Sequence, residues 1–469
     1  MPRALSRPTR CSGFQVDWRA GLSQEAACQV YGAAILVATR CGILRPLRKI
    51  DRTMAQRILY LSQWFLPENS DRGLQVAKAL IARGYEVEVI TGFPNYPSGK
   101  IAPGYKLRPY MRETLDGVSV HRAFLYPSHD SSSIGRALNY LSFFLSALIF
   151  CLLRARRFDA IYVYHPPITV GLAAAVSGLF TRRPFILEVQ DLWPESVAAS
   201  GMGGTSSLSR ILGPICHFVY RRAAMVLGQS RGMTRRLVAR GVPADRAGTL
   251  FNWAREDAIR PTGLYDTAAL GFDGHFNFVF GGNMGKVQGL DTLIHAAYQA
   301  ARTVPQVKLT LIGDGVDRDR IAALIAKQNN DVVCLRHSVP QDQIGDVFAA
   351  ADVLVLHLID DPMFEFTIPS KTQFYMAMGK PILIGMRGEA ADIITDIGAG
   401  IAVPPDDVEA MAQAMVDMAQ MPQSALSAMG ANASAGYWSH YAFEAGMATI
   451  AACIERVVGP ARPDPEKAT

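Results

Sequence analysis

At 469 residues, with 49% apolar and 19% charged residues, the chain is too long for a single core and too apolar for a disordered polymer, so two or three folded domains are expected. The formal net charge of +6 is modest; its clusters suit a membrane surface or anionic ligands, and no aromatic–basic module accompanies them, which sets nucleic acid aside as a partner. Seven scattered cysteines without C-x-x-C, and nine histidines without H-x-x-x-H or H-E-x-x-H, fit a reducing compartment and set aside a disulfide framework, a zinc site and a catalytic metal.

Residues 1–53 are Arg-rich and irregular, and their one apolar run, Ala33–Ala38, is too short for a membrane span and too far in for a simple signal peptide. A transit-like or disordered extension is one reading. The other is upstream sequence: Met54-Ala-Gln-Arg-Ile-Leu-Tyr-Leu runs directly into a first strand, so Met54 is expected to be the physiological start. An intact mass of the native protein that includes residues 1–53 would contradict that.

Residues 54–260 read as a first α/β domain. Arg57–Ser62 is a buried-type strand, Gln63–Gly73 a loop, Leu74–Arg83 a helix ending at Gly84, and Tyr85–Thr91 the next strand. This βαβ unit implies a parallel, right-handed crossover. Further strands are expected at Val118–Ala123, Ala160–Tyr164, Phe185–Val189, Met225–Gly228 and Ala247–Phe251, mostly separated by helices, which gives a doubly wound sheet. Ala137–Leu153 is a mostly apolar run between Arg136 and the basic group Arg154, Arg156 and Arg157. It is short for a span and interrupted by Asn139, Ser142 and Ser146; it reads either as a core helix or as a helix lying in a membrane interface over about 137–157. In Leu187–Ser196 a strand runs into Asp191 and Glu195. Carboxylates there suit positioning sugar hydroxyls or taking a proton, or capping the next helix, which Pro194-Glu195 would start.

Residues 261–440 read as a second α/β domain, followed by a terminal helix over 441–458 and a loose tail over 459–469. The strand Asn277–Phe280 leads into the glycine-rich loop Gly281–Gly289 and a helix from about Leu290. The glycines of the loop, Gly282 among them, let the backbone approach a phosphate and Lys286 supplies charge. The loop is neither a Walker A nor a G-x-G-x-x-G sequence. Strands follow at Lys308–Ile312, Val332–Leu335 and Asp352–His357, and then the stretch Pro362–Pro381. Its loop Phe364–Pro369 lies outside the carboxyl end of a strand, and a helix begins at Ser370 with Pro369 before it. The free N–H groups of that helix start, with Lys371 in its first turn, suit a phosphate; the same pattern is also that of an ordinary crossover with a surface lysine. Ile382–Ile384 and Ile401–Pro405 are further strands, and Met411–Met418 is a helix.

Together these stretches offer a diphosphate site in the second domain and carboxylates in the first. The chain resembles the GT-B glycosyltransferases of family 4, especially the branch of colanic-acid, O-antigen and exopolysaccharide assembly (L-fucosyl or N-acetyl-fucosaminyl transferase-like). The resemblance covers about residues 55–455. It is carried by Gln63–Glu68, Arg83–Thr91, Asp191–Ser196, Gly282–Gly289, Ile368–Gln373 and Tyr375–Pro381, of which Asp191–Ser196 and Ile368–Gln373 are specific to the branch.

What the resemblance implies is two Rossmann-like doubly wound domains facing across a cleft. The implied activity is a retaining, metal-independent transfer from a nucleotide-diphosphate sugar with no further cofactor. A UDP-sugar such as UDP-N-acetylfucosamine is the implied donor, a polyprenyl-diphosphate-linked glycan the acceptor, and the cytoplasmic face of the inner membrane the location. Catalytic candidates are Asp191, Glu195 and Glu365; donor-binding candidates are Gly282, Asn283, Lys286, Pro369, Ser370, Lys371 and Gln373. The chain departs from the family's E-x7-E signature: Glu365 and Gln373 keep the spacing as E-x7-Q, while alignment on Met376–Pro381 puts Phe374 at the second acid. The long glycine-rich acceptor loop of many relatives is replaced by Pro67–Gly73. Three alternatives remain: a nucleotide-sugar epimerase on the same fold, a catalytically inactive sugar- or nucleotide-binding subunit, and an NAD-linked enzyme, the last opposed by the missing G-x-G-x-x-G.

Overall fold

The computed structural model describes residues 55–68, 71–128, 133–195, 205–328 and 330–460. The expectations for residues 1–53 and most of the tail fall outside these.

The first sheet contains β1 (Arg57–Leu61), β2 (Glu86–Gly92), β3 (Tyr110–Leu115), β4 (Val118–Ala123), β5 (Ala160–His165), β6 (Phe185–Val189), β7 (Met225–Gly228) and β8 (Ala247–Thr249). Their spatial order is β3-β4-β2-β1-β5-β6-β7-β8. All neighbours are parallel except the β3–β4 hairpin. Central strands such as Ile58-Leu59-Tyr60-Leu61 are buried on both faces, as expected where helices cover a parallel sheet. The edge strand β3 was not expected from the sequence. Its residues alternate exposed and half-buried, and the hairpin turns at Asp116-Gly117, both with positive φ, the backbone of a tight primed turn.

The second sheet contains β9 (Phe276–Gly281), β10 (Val307–Ile312), β11 (Val333–Arg336), β12 (Val353–His357), β13 (Ile382–Gly385) and β14 (Gly400–Val403). It is wholly parallel in the order β11-β10-β9-β12-β13-β14. In both sheets strand order reverses beside the first strand, between β1 and β5 and between β9 and β12. Such a switch point opens a crevice at the carboxyl ends of the strands.

Two helices join the halves in ways the sequence pattern does not announce. Gln423–His440 was not expected: its buried stripe is narrow and mixes Leu426 and Tyr437 with Gly430 and Ala433. A Cβ at Gly430 would meet the Gly379 carbonyl oxygen at 2.3 Å. The terminal helix Phe443–Val458 returns to the first sheet, where Met447, Ile450 and Ile454 join its core. The Gln56 side-chain amide donates to the Val458 carbonyl at 2.9 Å.

The halves also touch directly. The helix Arg231–Ala239 of the first half presents the backbone N–H groups of Arg231 and Gly232 to the Glu389 carboxylate of the second, at 2.8 and 2.6 Å. Ser230 donates its hydroxyl to the Phe366 carbonyl, and the Arg236 guanidinium lies 4.0 Å over the Phe366 ring.

Candidate active site

The loops after β9 and β10 meet with no room for side chains. A Cβ on Gly313, at φ +148°, would fall 1.9 Å from the Gly282 carbonyl oxygen. Glycine is required there because the two turns must close over each other. The following turn, Lys286–Gln288, is held from below by His357 at the end of β12. His357 is fully buried, its Nδ1 donates to the Gln288 carbonyl at 2.9 Å, and its Nε2 accepts the Asp406 N–H at 3.1 Å. Those partners fix the tautomer, and burial lowers the imidazole pKa, so the ring is a neutral strut.

Above these loops lies a cavity of about 510 Å³. Gly282, Asn283, Ser370 and Lys371, four of the donor-binding candidates, line it. The helix Ser370–Ala377 begins at the cavity with no side-chain cap, so its first N–H groups and partial positive charge are available to an anion. The Lys371 ammonium donates to Gln288 Oε1 at 2.5 Å and lies 3.8 Å from the centre of the Phe280 ring. Both partners are neutral. Burial lowers its pKa from 10.5 to about 7, because neither partner balances the charge of the ammonium form.

The sequence reading missed the cavity's other walls. Ile312, Val339, Ile344 and Phe348 make an apolar side, a suitable face for a planar base. Trp253, Ala254 and Arg255, from the segment between the sheets, close the opposite edge. Asp314 lines the rim; hydrogen bonds from the Ser338 hydroxyl and N–H, then from His337, hold its pKa down at about 2. These residues lie on separate loops, and none of them was a candidate in the sequence reading.

Other expected site residues lie elsewhere. Lys286 is exposed on the outer side of its turn, outside the cavity lining; it adds to the Arg320 hydrogen bond that lowers the Asp317 pKa. Pro369 occupies the N-cap position. Gln373 is 1% exposed, and its assignment to donor binding is corrected. Two positions after Lys371 on a helix, it points to the opposite side, whereas Phe374 lines the cavity. Glu365 is exposed in the turn Phe364–Phe366. Its backbone packs against Gly388, where a Cβ would stand 2.1 Å from the Glu365 carbonyl oxygen. That places it where the halves touch, outside the cavity lining.

On the first sheet, Asp191 follows β6. Its tip reaches solvent, while the surrounding protein raises its pKa by desolvation, which suits a group that exchanges a proton. Glu195 is ion-paired with Arg240, which also donates to the Trp193 carbonyl at 2.9 Å. It therefore braces the loop that carries Asp191. Behind Asp191, Arg72 and Glu188 form a buried ion pair at 2.5 Å, and the Tyr162 hydroxyl donates to the same carboxylate. Among the described residues no group of three or more His, Cys, Asp or Glu gathers to hold a metal.

With this geometry in hand, the chain was compared with known proteins. Residues 72–253 match the glycosyl transferase 4-like domain, and residues 275–421 match glycosyl transferases group 1. The chain is 25% identical over 307 residues to the probable glycosyltransferase WbjE of Pseudomonas aeruginosa, covering 64% of this chain and 75% of that one. It is also 25% identical over 363 residues to the putative colanic acid biosynthesis glycosyl transferase WcaI of Escherichia coli K12, covering 72% and 85%. In three dimensions it resembles Anabaena HepE solved with UDP, with a TM-score of 0.63 at 17% identity, covering 86% of this chain and 100% of that one. HepE has also been solved with UDP-glucose.

Proposed function

The chain belongs to the GT-B glycosyltransferases of family 4, and from that premise we propose that it moves a sugar, with retention and without a metal, from a nucleotide-diphosphate donor to a lipid-linked glycan in surface polysaccharide assembly. The donor we propose is a UDP-sugar such as UDP-N-acetylfucosamine. The acceptor is a polyprenyl-diphosphate-linked glycan, reached at the cytoplasmic face of the inner membrane. The observation that carries the reading is Lys371: a largely enclosed ammonium with neutral partners, at an uncapped helix start, in a cavity with an apolar wall. HepE, a relative in fold, binds UDP and UDP-glucose.

In this mechanism the anomeric C–O bond breaks and negative charge grows on the departing phosphate. Lys371 and the N–H groups at Ser370 and Lys371 oppose that charge in place of a metal ion. On the face the phosphate leaves, the acceptor oxygen bonds to the anomeric carbon while a phosphate oxygen of the departing nucleotide diphosphate takes its proton, so no protein nucleophile is required. Asp191 holds the acceptor hydroxyl, and Glu365 approaches the donor sugar when the halves close.

Membrane contact is proposed through the helix Ser133–Arg154. One face buries Phe143, Ala147 and Phe150, while Ile134, Leu138, Leu141, Leu145, Ile149 and Leu153 are exposed at helical spacing. Arg154, Arg156 and Arg157 follow it, and an apolar stripe beside basic residues suits an anionic bilayer surface.

Incubation with a panel of UDP- and GDP-sugars, membrane lipid extract and chelator tests the reading. Nucleotide release that requires the lipid extract and persists in chelator is expected. Nucleotide binding with every donor left intact would favour the inactive binding subunit instead.

A further inference from the structure

Four aromatic side chains from four different segments converge at the carboxyl ends of the first sheet's strands. Trp64 follows β1, Tyr96 follows β2, Tyr140 stands in the first turns of the helix after β4, and Trp193 follows β6. Trp64 lies 5.5 Å from Tyr96 and 6.5 Å from Tyr140, and Tyr140 lies 6.2 Å from Trp193, ring centre to ring centre. The array grades from core to surface: Trp193 is 7% exposed and belongs to the first sheet's core, Trp64 and Tyr140 are half-buried, and Tyr96 is 40% exposed.

A polar layer holds it in place. Glu68 accepts the N–H groups of Asn95 and Tyr96 at 2.7 and 2.9 Å. Asn139, one residue before Tyr140, accepts from the Gln63 amide at 2.6 Å and donates to Asn95 and to the Tyr126 carbonyl. Each aromatic is therefore fixed by a neighbour bonded across the loops, the pre-organisation a binding surface needs.

Two charges flank the array. Asp191 and Arg136 both act electrostatically on the Tyr140 hydroxyl, in opposite directions. Arg136 precedes Tyr140 by one helical turn, and its Nε is buried without a partner among the described residues. On the same helix, Ile134 and Leu138 project outward, 74% and 46% exposed. Two turns of one helix thus carry an apolar outer face, a guanidinium and an aromatic ring within electrostatic reach of the Asp191 carboxylate.

We propose that Trp64, Tyr96 and Tyr140, with the buried Trp193 behind Tyr140, seat the pyranose ring of the acceptor, that Arg136 takes the diphosphate linking that sugar to its lipid, and that the hydrocarbon leaves over Ile134 and Leu138. This rests on the transferase reading above. A pyranose presents a C–H face that packs on aromatic rings while its hydroxyls stay at the rim, near Asp191. A guanidinium forks onto phosphate oxygens and is weakly enough hydrated to do so beside apolar groups. Ile134 and Leu138 share one side of the helix and Arg136 and Tyr140 the other, so a lipid on the outer side and a diphosphate sugar on the inner side can be held by the same segment.

The test uses the full chain with a synthetic short-prenyl diphosphate bearing N-acetylglucosamine, and its monophosphate counterpart, in detergent micelles. Trp64→Ala is expected to raise the acceptor KM about tenfold, the scale of one aromatic contact, with the donor KM unchanged; Trp64→Phe should recover most of the loss. Arg136→Gln should weaken the diphosphate acceptor by a similar factor and leave the monophosphate one unaffected. Tyr96→Ala, at a more exposed position, repeats the test if Trp64→Ala misfolds. An unchanged acceptor KM in these variants, or a donor KM that moves in parallel, would overturn the proposal. Should the unaltered protein transfer nothing, tryptophan fluorescence judges the subsite by itself. A saturable change with the prenyl diphosphate sugar that Trp64→Ala or Arg136→Gln weakens supports it, and no change refutes it even where UDP binding is intact.

Discussion

The two sheets share a strand order around their first strands and treat charge in opposite ways. In the first half, the buried charge beside the cleft is matched: Arg72 and Glu188 pair at 2.5 Å, Tyr162 donates to the same carboxylate, and the Gln190 amide adds a contact at 2.7 Å. In the second half, the enclosed charge is left with an amide and an aromatic ring, at Lys371. A matched pair stabilises a conformation; an unmatched cation is a cost that an arriving anion removes. The difference separates scaffold from site without reference to either half's motifs.

Breaking the matched pair should give the largest effect. Glu188→Ala leaves Arg72 buried without its partner and is expected to cost about 3–5 kcal/mol of stability, read as a lower urea midpoint. The opposite is expected at the unmatched charge: Lys371→Met should leave the midpoint unchanged or raise it, since it removes a desolvated charge. If both variants lost equal stability, the contrast would be wrong. In turnover the ranking reverses, and Lys371→Ala should lower kcat by about 10²–10³, as for removal of one electrostatic stabiliser.

Smaller effects refine the picture. Glu389→Ala strands the N–H groups of Arg231 and Gly232 where the halves meet and should cost about 1–3 kcal/mol, again in urea unfolding. Leu145→Glu lies on the outer face of the Ser133–Arg154 helix and should change stability by no more than about 0.5 kcal/mol. It should abolish co-sedimentation with anionic vesicles. Unaltered sedimentation would remove that helix from the membrane reading.

How much was legible depended on whether the signal was local. Parallel strands such as Phe185–Val189 and Met225–Gly228 were legible because burial on both faces demands unbroken apolar runs. Strand β3 was not, since an edge strand tolerates the polar pattern of Tyr110–Leu115, although Asp116-Gly117 marks its turn. The helix Gln423–His440 was hidden because its buried stripe is narrow, with Gly430 and Ala433 between Leu426 and Tyr437. Within the site, Gly282, Asn283, Ser370 and Lys371 were legible, since each belongs to a loop or helix start adjoining a strand. The apolar wall of Val339, Ile344 and Phe348 was not, because only the tertiary fold brings it to Lys371. Gln373 misled for a geometric reason: its spacing from Glu365 fitted a family signature, but its place on the helix turns it into the core.

The central claim is that Lys371 is the cation that receives the donor's diphosphate. Its pKa of about 7 in the empty cavity gives the claim a sign. A bound diphosphate favours the charged form and raises that pKa, so above pH 7 binding must take up a proton, and affinity must fall as pH rises. Titration calorimetry of UDP at pH 8.5, in two buffers of different ionisation enthalpy, measures that proton directly. The account predicts uptake approaching one proton per UDP in the unaltered protein and none in Lys371→Met, which should also bind more weakly. Equal affinity in both proteins, with no proton taken up, would contradict it.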